Sequence, residues 1–218
     1  GACLALAWPQ TTWTLLYVGL SAGFLAVIGF RLTACALSPP APIAMGRRSR
    51  RLPRYTVVVA LKDEAAVVPQ LIRRLSRLDY PKDRLRGYLV VEADDTATQA
   101  AIQSTPRPDW LTALVAPPGA PTTKPRALNV ALGLARPGLL TVYDAEDEPH
   151  PEQLREAAAS FSCGPSELAC LQAPLRIRTL GRAGSWLERQ FALEYAALFE
   201  VILPALTRLG LPLPLGGT

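Results

Sequence analysis

Histidine and methionine each occur once in this 218-residue chain, and cysteine four times. Cys3, Cys35, Cys163 and Cys170 make no C-x-x-C pair and have no histidine at ligand spacing, which argues against a zinc site or a disulfide framework. They read as reduced, structural thiols of a cytosolic domain. A Gly-rich phosphate loop of the P-loop or dinucleotide type is also missing, which argues against kinases, ATPases and NAD enzymes. Charge is absent from Gly1 to Phe30. Within that stretch Thr12–Phe30 is long enough to cross a bilayer, and Trp8, Trp13 and Tyr17 crowd its amino-terminal end as aromatics do at a membrane interface. No basic region precedes the run and Arg31 comes directly after it, which weighs against a cleaved signal peptide. A buried core helix is the remaining alternative.

Beyond the apolar run the chain turns basic. Ser38-Pro39-Pro40-Ala41-Pro42 leads into Arg47, Arg48, Arg50, Arg51 and Arg54. Arginines just beyond a span mark the cytoplasmic side and suit anionic lipid headgroups. Most of the net charge of +5 is local to this run, which makes a nucleic-acid partner the weaker reading of it; a basic linker without any partner is the plainest one. Half of the residues are hydrophobic, ample for one domain plus an appendage. The expected organisation is a transmembrane helix over 1–37, a basic juxtamembrane linker over 38–54, a nucleotide-binding domain over 55–180 and a helical segment over 181–218. The chain starts at Gly1 and stops at Gly216-Gly217-Thr218, and reads as cut from something longer.

From Tyr55 onward strand-like and helix-like segments alternate. Thr56–Leu61 is a wholly apolar, β-branched run suited to a buried parallel strand. Ala65–Leu78 has apolar residues at helical spacing, and Tyr80-Pro81 stops it. Further strands are expected over 87–91, 111–116 and 139–143, with a possible fifth over 168–172. Further helices are expected over 96–104, 125–135 and 151–161. Repeated β-α units of this length imply a mostly parallel sheet with helices on both faces, whose ligands bind beyond the carboxyl ends of the strands. Gly184–Leu209 reads as a helix that is apolar almost all round, either interfacial or buried.

The polar clusters fall at those strand ends: Lys62-Asp63-Glu64, Glu92-Ala93-Asp94-Asp95 and Asp144-Ala145-Glu146-Asp147. Crowded carboxylates repel one another unless a cation neutralises them, so acidic strand ends point to a nucleotide-plus-metal pocket. A solvated acidic turn ahead of a helix is the competing reading of any single cluster.

Taken with Thr123-Lys124-Pro125-Arg126-Ala127-Leu128-Asn129, Gln172-Ala173-Pro174-Leu175 and the stretch from Phe191 to Thr218, these motifs resemble the family 2 glycosyltransferases. The order and spacing are similar to the membrane-embedded, cellulose-synthase-like bacterial branch. The resemblance implies a GT-A fold and transfer of a sugar from a nucleotide-diphosphate donor, with UDP favoured, with inversion at the anomeric carbon. It implies that Asp144 and Glu146 hold Mg2+ or Mn2+ on the donor diphosphate. The family more often has Asp where Glu146 stands, which leaves Asp147 as the alternative. Glu92, Asp94 and Asp95 resemble the acidic strand end that contacts base and ribose. Lys124 resembles a lysine that neutralises phosphate, with a solvated helix-start lysine as its alternative, and Glu64 matches a residue that touches the nucleotide or simply starts a helix. His150, between two prolines, reads as structural.

The resemblance also implies a glycan or lipid acceptor, a place in the bacterial inner membrane with the catalytic domain on the cytoplasmic side, and no nucleic acid. The T-E-D motif, whose Asp is the family's catalytic base, and the Q-x-x-R-W motif do not occur in these residues. No catalytic residue is therefore assigned, and the expectation is donor binding without appreciable transfer. Transfer of single sugars to a lipid carrier and a non-catalytic subunit of a synthase complex are the other readings.

Overall fold

A computed structural model describes residues 9–37, 52–177 and 185–214. The elements in chain order are α1 (Pro9–Leu37), β1 (Tyr55–Leu61), α2 (Val68–Ser76), β2 (Leu85–Glu92), α3 (Thr96–Ser104), β3 (Leu111–Ala116), α4 (Lys124–Leu132), β4 (Leu139–Tyr143), α5 (Gln153–Cys163), α6 (Trp186–Ala197) and α7 (Leu203–Arg208). A single π-helical stretch, Leu198–Ile202, joins the last two. The chain divides into two compact units, one from the described parts of Ala44–Leu171 and one from the described parts of Gly1–Ile43 and Gln172–Leu215.

In the first unit all strands run parallel, in the order β3-β2-β1-β4. β1 is central and buried on both faces, which is why its sequence is apolar throughout rather than alternating. Val57, Val59 and Leu61 face one side with Leu89 and Val91, against Leu71, Ile72 and Leu75 of α2, Ile102 of α3 and Leu154 of α5. Val58, Val90 and Ala116 face the other, against Ala127 and Ala131 of α4. The small side chains on α4 allow its close approach to the sheet.

The expected helices and the first four expected strands are present, with shifted ends. α2 begins at Val68 rather than Ala65 because Pro69 occupies its first turn, where the missing N–H is tolerated, and the preceding residues form a turn onto the Glu64 carbonyl. The fifth strand expected over 168–172 is not formed. Those residues lie between Pro165 and Pro174, Leu171 is 39% exposed, and the short apolar run has neither a ladder partner nor a face to bury. Cys35, Cys163 and Cys170 are exposed free thiols. His150 accepts the Glu152 N–H and shapes the turn before α5.

In the second unit α1 packs against the Leu198–Arg208 stretch. Arg31 pairs with Glu194 at 2.9 Å, Arg208 donates to the Leu37 carbonyl, and Arg176 pairs with Glu200 at 3.0 Å. Ser185 and Glu188 close a reciprocal capping box at the start of α6. Two helical stretches, Gln10–Leu37 and Trp186–Arg208, are long and apolar enough to cross a membrane. Large apolar side chains are exposed along the first, as at Trp13 (72%), and at the start of the second, as at Trp186 (71%), whereas Leu203 is buried. The basic run Arg47–Arg51 and the terminal Gly216-Gly217-Thr218 lie outside the described residues.

The register of β4 on β1 depends on Gly138. Its φ of +153° disfavours any side chain, a Cβ there would collide with the Arg54 carbonyl oxygen, and that same oxygen accepts the Leu139 N–H. Gly138→Ala is expected to lower stability by about 1–3 kcal/mol in urea denaturation of the chain.

Candidate functional site

The strand order brings three polar loops to one edge. β1 lies between β2 and β4, so the residues after Leu61, at Glu92 and after Tyr143 occur on neighbouring strands, with Leu61 opposite Val91 and Val59 opposite Tyr143. The acidic clusters singled out in the sequence are thus brought together at the carboxyl edge.

Each carboxylate there has its own partners. Asp95 caps α3: its Oδ1 accepts the Thr98 N–H at 3.0 Å and its Oδ2 the Asp63 N–H at 2.7 Å. Asp63 sits at φ +57°, a conformation Asp tolerates better than most residues, and the bond from its N–H to Asp95 holds it there. Burial of Asp95 opposes its charge, but the Thr98 hydroxyl and N–H, the Asp63 N–H and the nearby Lys62 outweigh it and hold the carboxyl below its ordinary value. The Glu64 N–H donates to the Thr98 hydroxyl at 3.0 Å, and its side chain is half-buried. Asp94 is exposed.

Glu92 is buried, at 4% exposure, and both its oxygens accept from Nη1 of Arg126, at 2.8 and 3.1 Å. Arg126 also donates to the Pro117 carbonyl, which fastens the β3–α4 loop to the strand end. Lys62 reaches Thr122 of that loop at 3.3 Å. Lys124, in the first turn of α4, forms an ion pair with Asp144.

The acidic turn after β4 is sorted by its backbone. Ala145 is buried at 6% exposure, Glu146 is exposed, and Asp144 is half-buried. Asp147 turns back, its Oδ2 accepting the Asp144 N–H at 2.8 Å while its own N–H donates to the Asp144 carbonyl. Burial, then the charge of Glu146, pushes the Asp147 carboxyl above its ordinary value, opposed by Lys124 and Arg74. Among the described residues no three His, Cys, Asp or Glu side chains form a group that could hold a metal ion alone.

Arg126 and Arg74 are the residues that sequence reasoning passed over. Both lie in helices, where an arginine ordinarily reads as solvated, and their partners are 34 and 72 residues away. A cleft of about 670 Å3 opens at the opposite, amino-terminal edge of the sheet, lined by Lys82, Leu85, Arg86, Trp110 and Arg136 among others, and holds none of the predicted site residues.

A family model described as "Glycosyltransferase like family 2" matches residues 53–201. The beta-monoglucosyldiacylglycerol synthase of Synechocystis sp. is 28% identical over 142 residues, covering 64% of this chain and 30% of that protein. The probable glycosyltransferase YdaM of Bacillus subtilis is 28% identical over 102 residues, covering 46% of this chain and 24% of its own length. The chain therefore spans less than a third of the length of these relatives. Among solved structures, the mannosyltransferase PcManGT from Pyrobaculum calidifontis, in complex with GDP-Man and Mn2+, shares the fold. It has a TM-score of 0.55 at 24% identity, covering 72% of this chain and 46% of that one.

The depressed carboxyl of Asp95 sets a pH signature. A carboxyl held low in the fold contributes stability that is present above its unfolded value of 3.8 and is lost as pH falls through the folded value. Asp95→Asn keeps one acceptor where two are used, and should cost about 1 kcal/mol at neutral pH. The gap from the unsubstituted chain should shrink below pH 3.8, read from urea unfolding at each pH.

Proposed function

The chain belongs to glycosyltransferase-like family 2, and we propose that its carboxyl edge binds the nucleotide-diphosphate sugar of a membrane-anchored, inverting glycosyltransferase. The observation that carries this reading is the convergence of the three acidic strand ends on neighbouring strands, with Lys124 already paired to Asp144. Carboxylates clustered beside a lysine suit a ligand that brings both a cation and phosphate groups.

In this reading Asp144 and Glu146, which flank the buried Ala145, are the two protein ligands of Mg2+ or Mn2+. The donor set fits a hard divalent cation. Two carboxylates are too few to close its shell, so diphosphate oxygens and water would complete it. Such an ion supplies charge that offsets the negative charge developing on the departing nucleoside diphosphate. Lys124 would turn from Asp144 to the phosphates. Asp94 and Glu64 are left for base and ribose, since Glu92 holds Arg126, Asp95 caps α3 and Asp147 caps its own turn.

UDP is the favoured donor nucleotide through the cellulose-synthase-like motifs, with polysaccharide synthesis at the cytoplasmic face of a bacterial inner membrane as the setting. The apolar helix α1 and the arginines that come after it in the sequence support the anchor and its orientation. The Synechocystis relative is named for making a glucosyl diacylglycerol, which supports a second reading in which a single sugar is passed to a lipid.

Calorimetric titration of UDP and of GDP into the detergent-solubilised chain, with and without Mn2+, tests the donor site. Metal-dependent binding of one nucleotide is expected, abolished by Asp144→Asn without loss of the fold. Binding that survives this change would refute the metal assignment, and no binding by a chain that circular dichroism shows folded would refute the donor site itself. A second pair of variants separates contact from support. Asp94→Asn should weaken nucleotide affinity about tenfold at unchanged stability. Glu92→Gln, which leaves the Arg126 charge without its counter-ion, should lower stability by about 3 kcal/mol in urea denaturation.

A further inference from the structure

Arg74 lies on α2, outside every motif that carries the family likeness, yet its side chain reaches the acidic turn after β4. Its Nη1 donates to the Glu146 carbonyl at 2.6 Å and to the Asp147 carbonyl at 3.5 Å. Its Nε meets the Glu148 carboxylate at 3.4 Å, which Arg77 also approaches at 3.5 Å. The Arg74 side chain is only 16% exposed, although its partner Glu148 is 35% exposed.

The consequence is a turn whose backbone is held from two directions. Arg74 takes the carbonyls of Glu146 and Asp147, while the Asp147 carboxylate takes the Asp144 N–H. Among the described residues no group engages the Glu146 carboxylate, and Lys124 alone engages that of Asp144. Glu148 offsets the guanidinium charge, so an arginine close behind the turn need not repel a cation in front of it.

We propose that Arg74 is a positioning residue for the divalent cation: it fixes the Glu146 and Asp147 carbonyls so that the Asp144 and Glu146 carboxylates are presented together. The inference rests on the donor-site reading above. A planar guanidinium can serve two carbonyls and a carboxylate at once, whereas an ammonium is a point donor, so Lys should rescue the role only in part.

The test titrates Mn2+ into the full 218-residue chain in detergent, with UDP and separately with GDP, following the free Mn2+ signal by electron paramagnetic resonance. Arg74→Met should weaken nucleotide-dependent Mn2+ binding roughly ten- to a hundredfold, as loss of a residue that orients metal ligands commonly does, with Arg74→Lys between the two. Arg155→Met is the control. Arg155 pairs with Asp79, whose N–H in turn holds the Pro151 carbonyl further along the same loop. That variant should lose stability and keep its Mn2+ affinity.

Mn2+ binding by folded Arg74→Met that matches the unsubstituted chain would overturn the proposal, as would an equal loss in Arg155→Met. Should Arg74→Met fail to fold, unchanged Mn2+ affinity in Arg74→Lys would overturn it equally. Asp144→Asn separates the two levels. Retained Mn2+ binding in that variant removes the metal assignment on which the inference rests, whereas loss there with retention in Arg74→Met removes only the role of Arg74.

Discussion

The reversal of winding direction at β1 is the constraint on which the rest of the domain depends. β1 takes β2 as one neighbour and β4 as the other, so the chain winds outward first one way and then the other. At such a point the loops leaving adjacent strands diverge and leave a crevice at the carboxyl edge. Without the parallel ladder from β1 to β4, the turn carrying Asp144 would have no fixed relation to the loops carrying Asp63 and Asp94. The apolar burial of β1 on both faces therefore positions the candidate site as well as stabilising the fold.

Carboxylates at that edge divide into those the fold uses and those it leaves over. Asp95, Asp147 and Glu92 are consumed by a helix cap, a turn and a buried arginine respectively. Each of these keeps a loop in one conformation, and the energy comes from hydrogen bonds to charged groups, stronger than neutral ones. Asp94 and Glu146 remain exposed, and Asp144 is met by Lys124.

The second unit obeys a different logic. α1 and the start of the Trp186–Arg208 stretch present apolar side chains outward, while their mutual contacts include one ion pair and a charged donor on a helix-end carbonyl.

Much of this architecture is legible in the order of residues alone. The apolar run of β1, buried on both faces, and the helical spacing of Val68, Leu71, Ile72 and Leu75 read correctly because core patterning is a local signal. The acidic strand ends are equally plain. The segment over 168–172 misleads for the reverse reason, since a short apolar run says nothing about whether a sheet edge is available to it. What the amino-acid order determined alone was which segments are strands and helices and which residues stand at their ends. Only the tertiary structure decided which of those carboxylates are already spent, and that Arg74 and Arg126 are the side chains that brace the edge. Those assignments depend on contacts between residues 34 to 72 positions apart, and no local pattern in a chain encodes a partner at that distance.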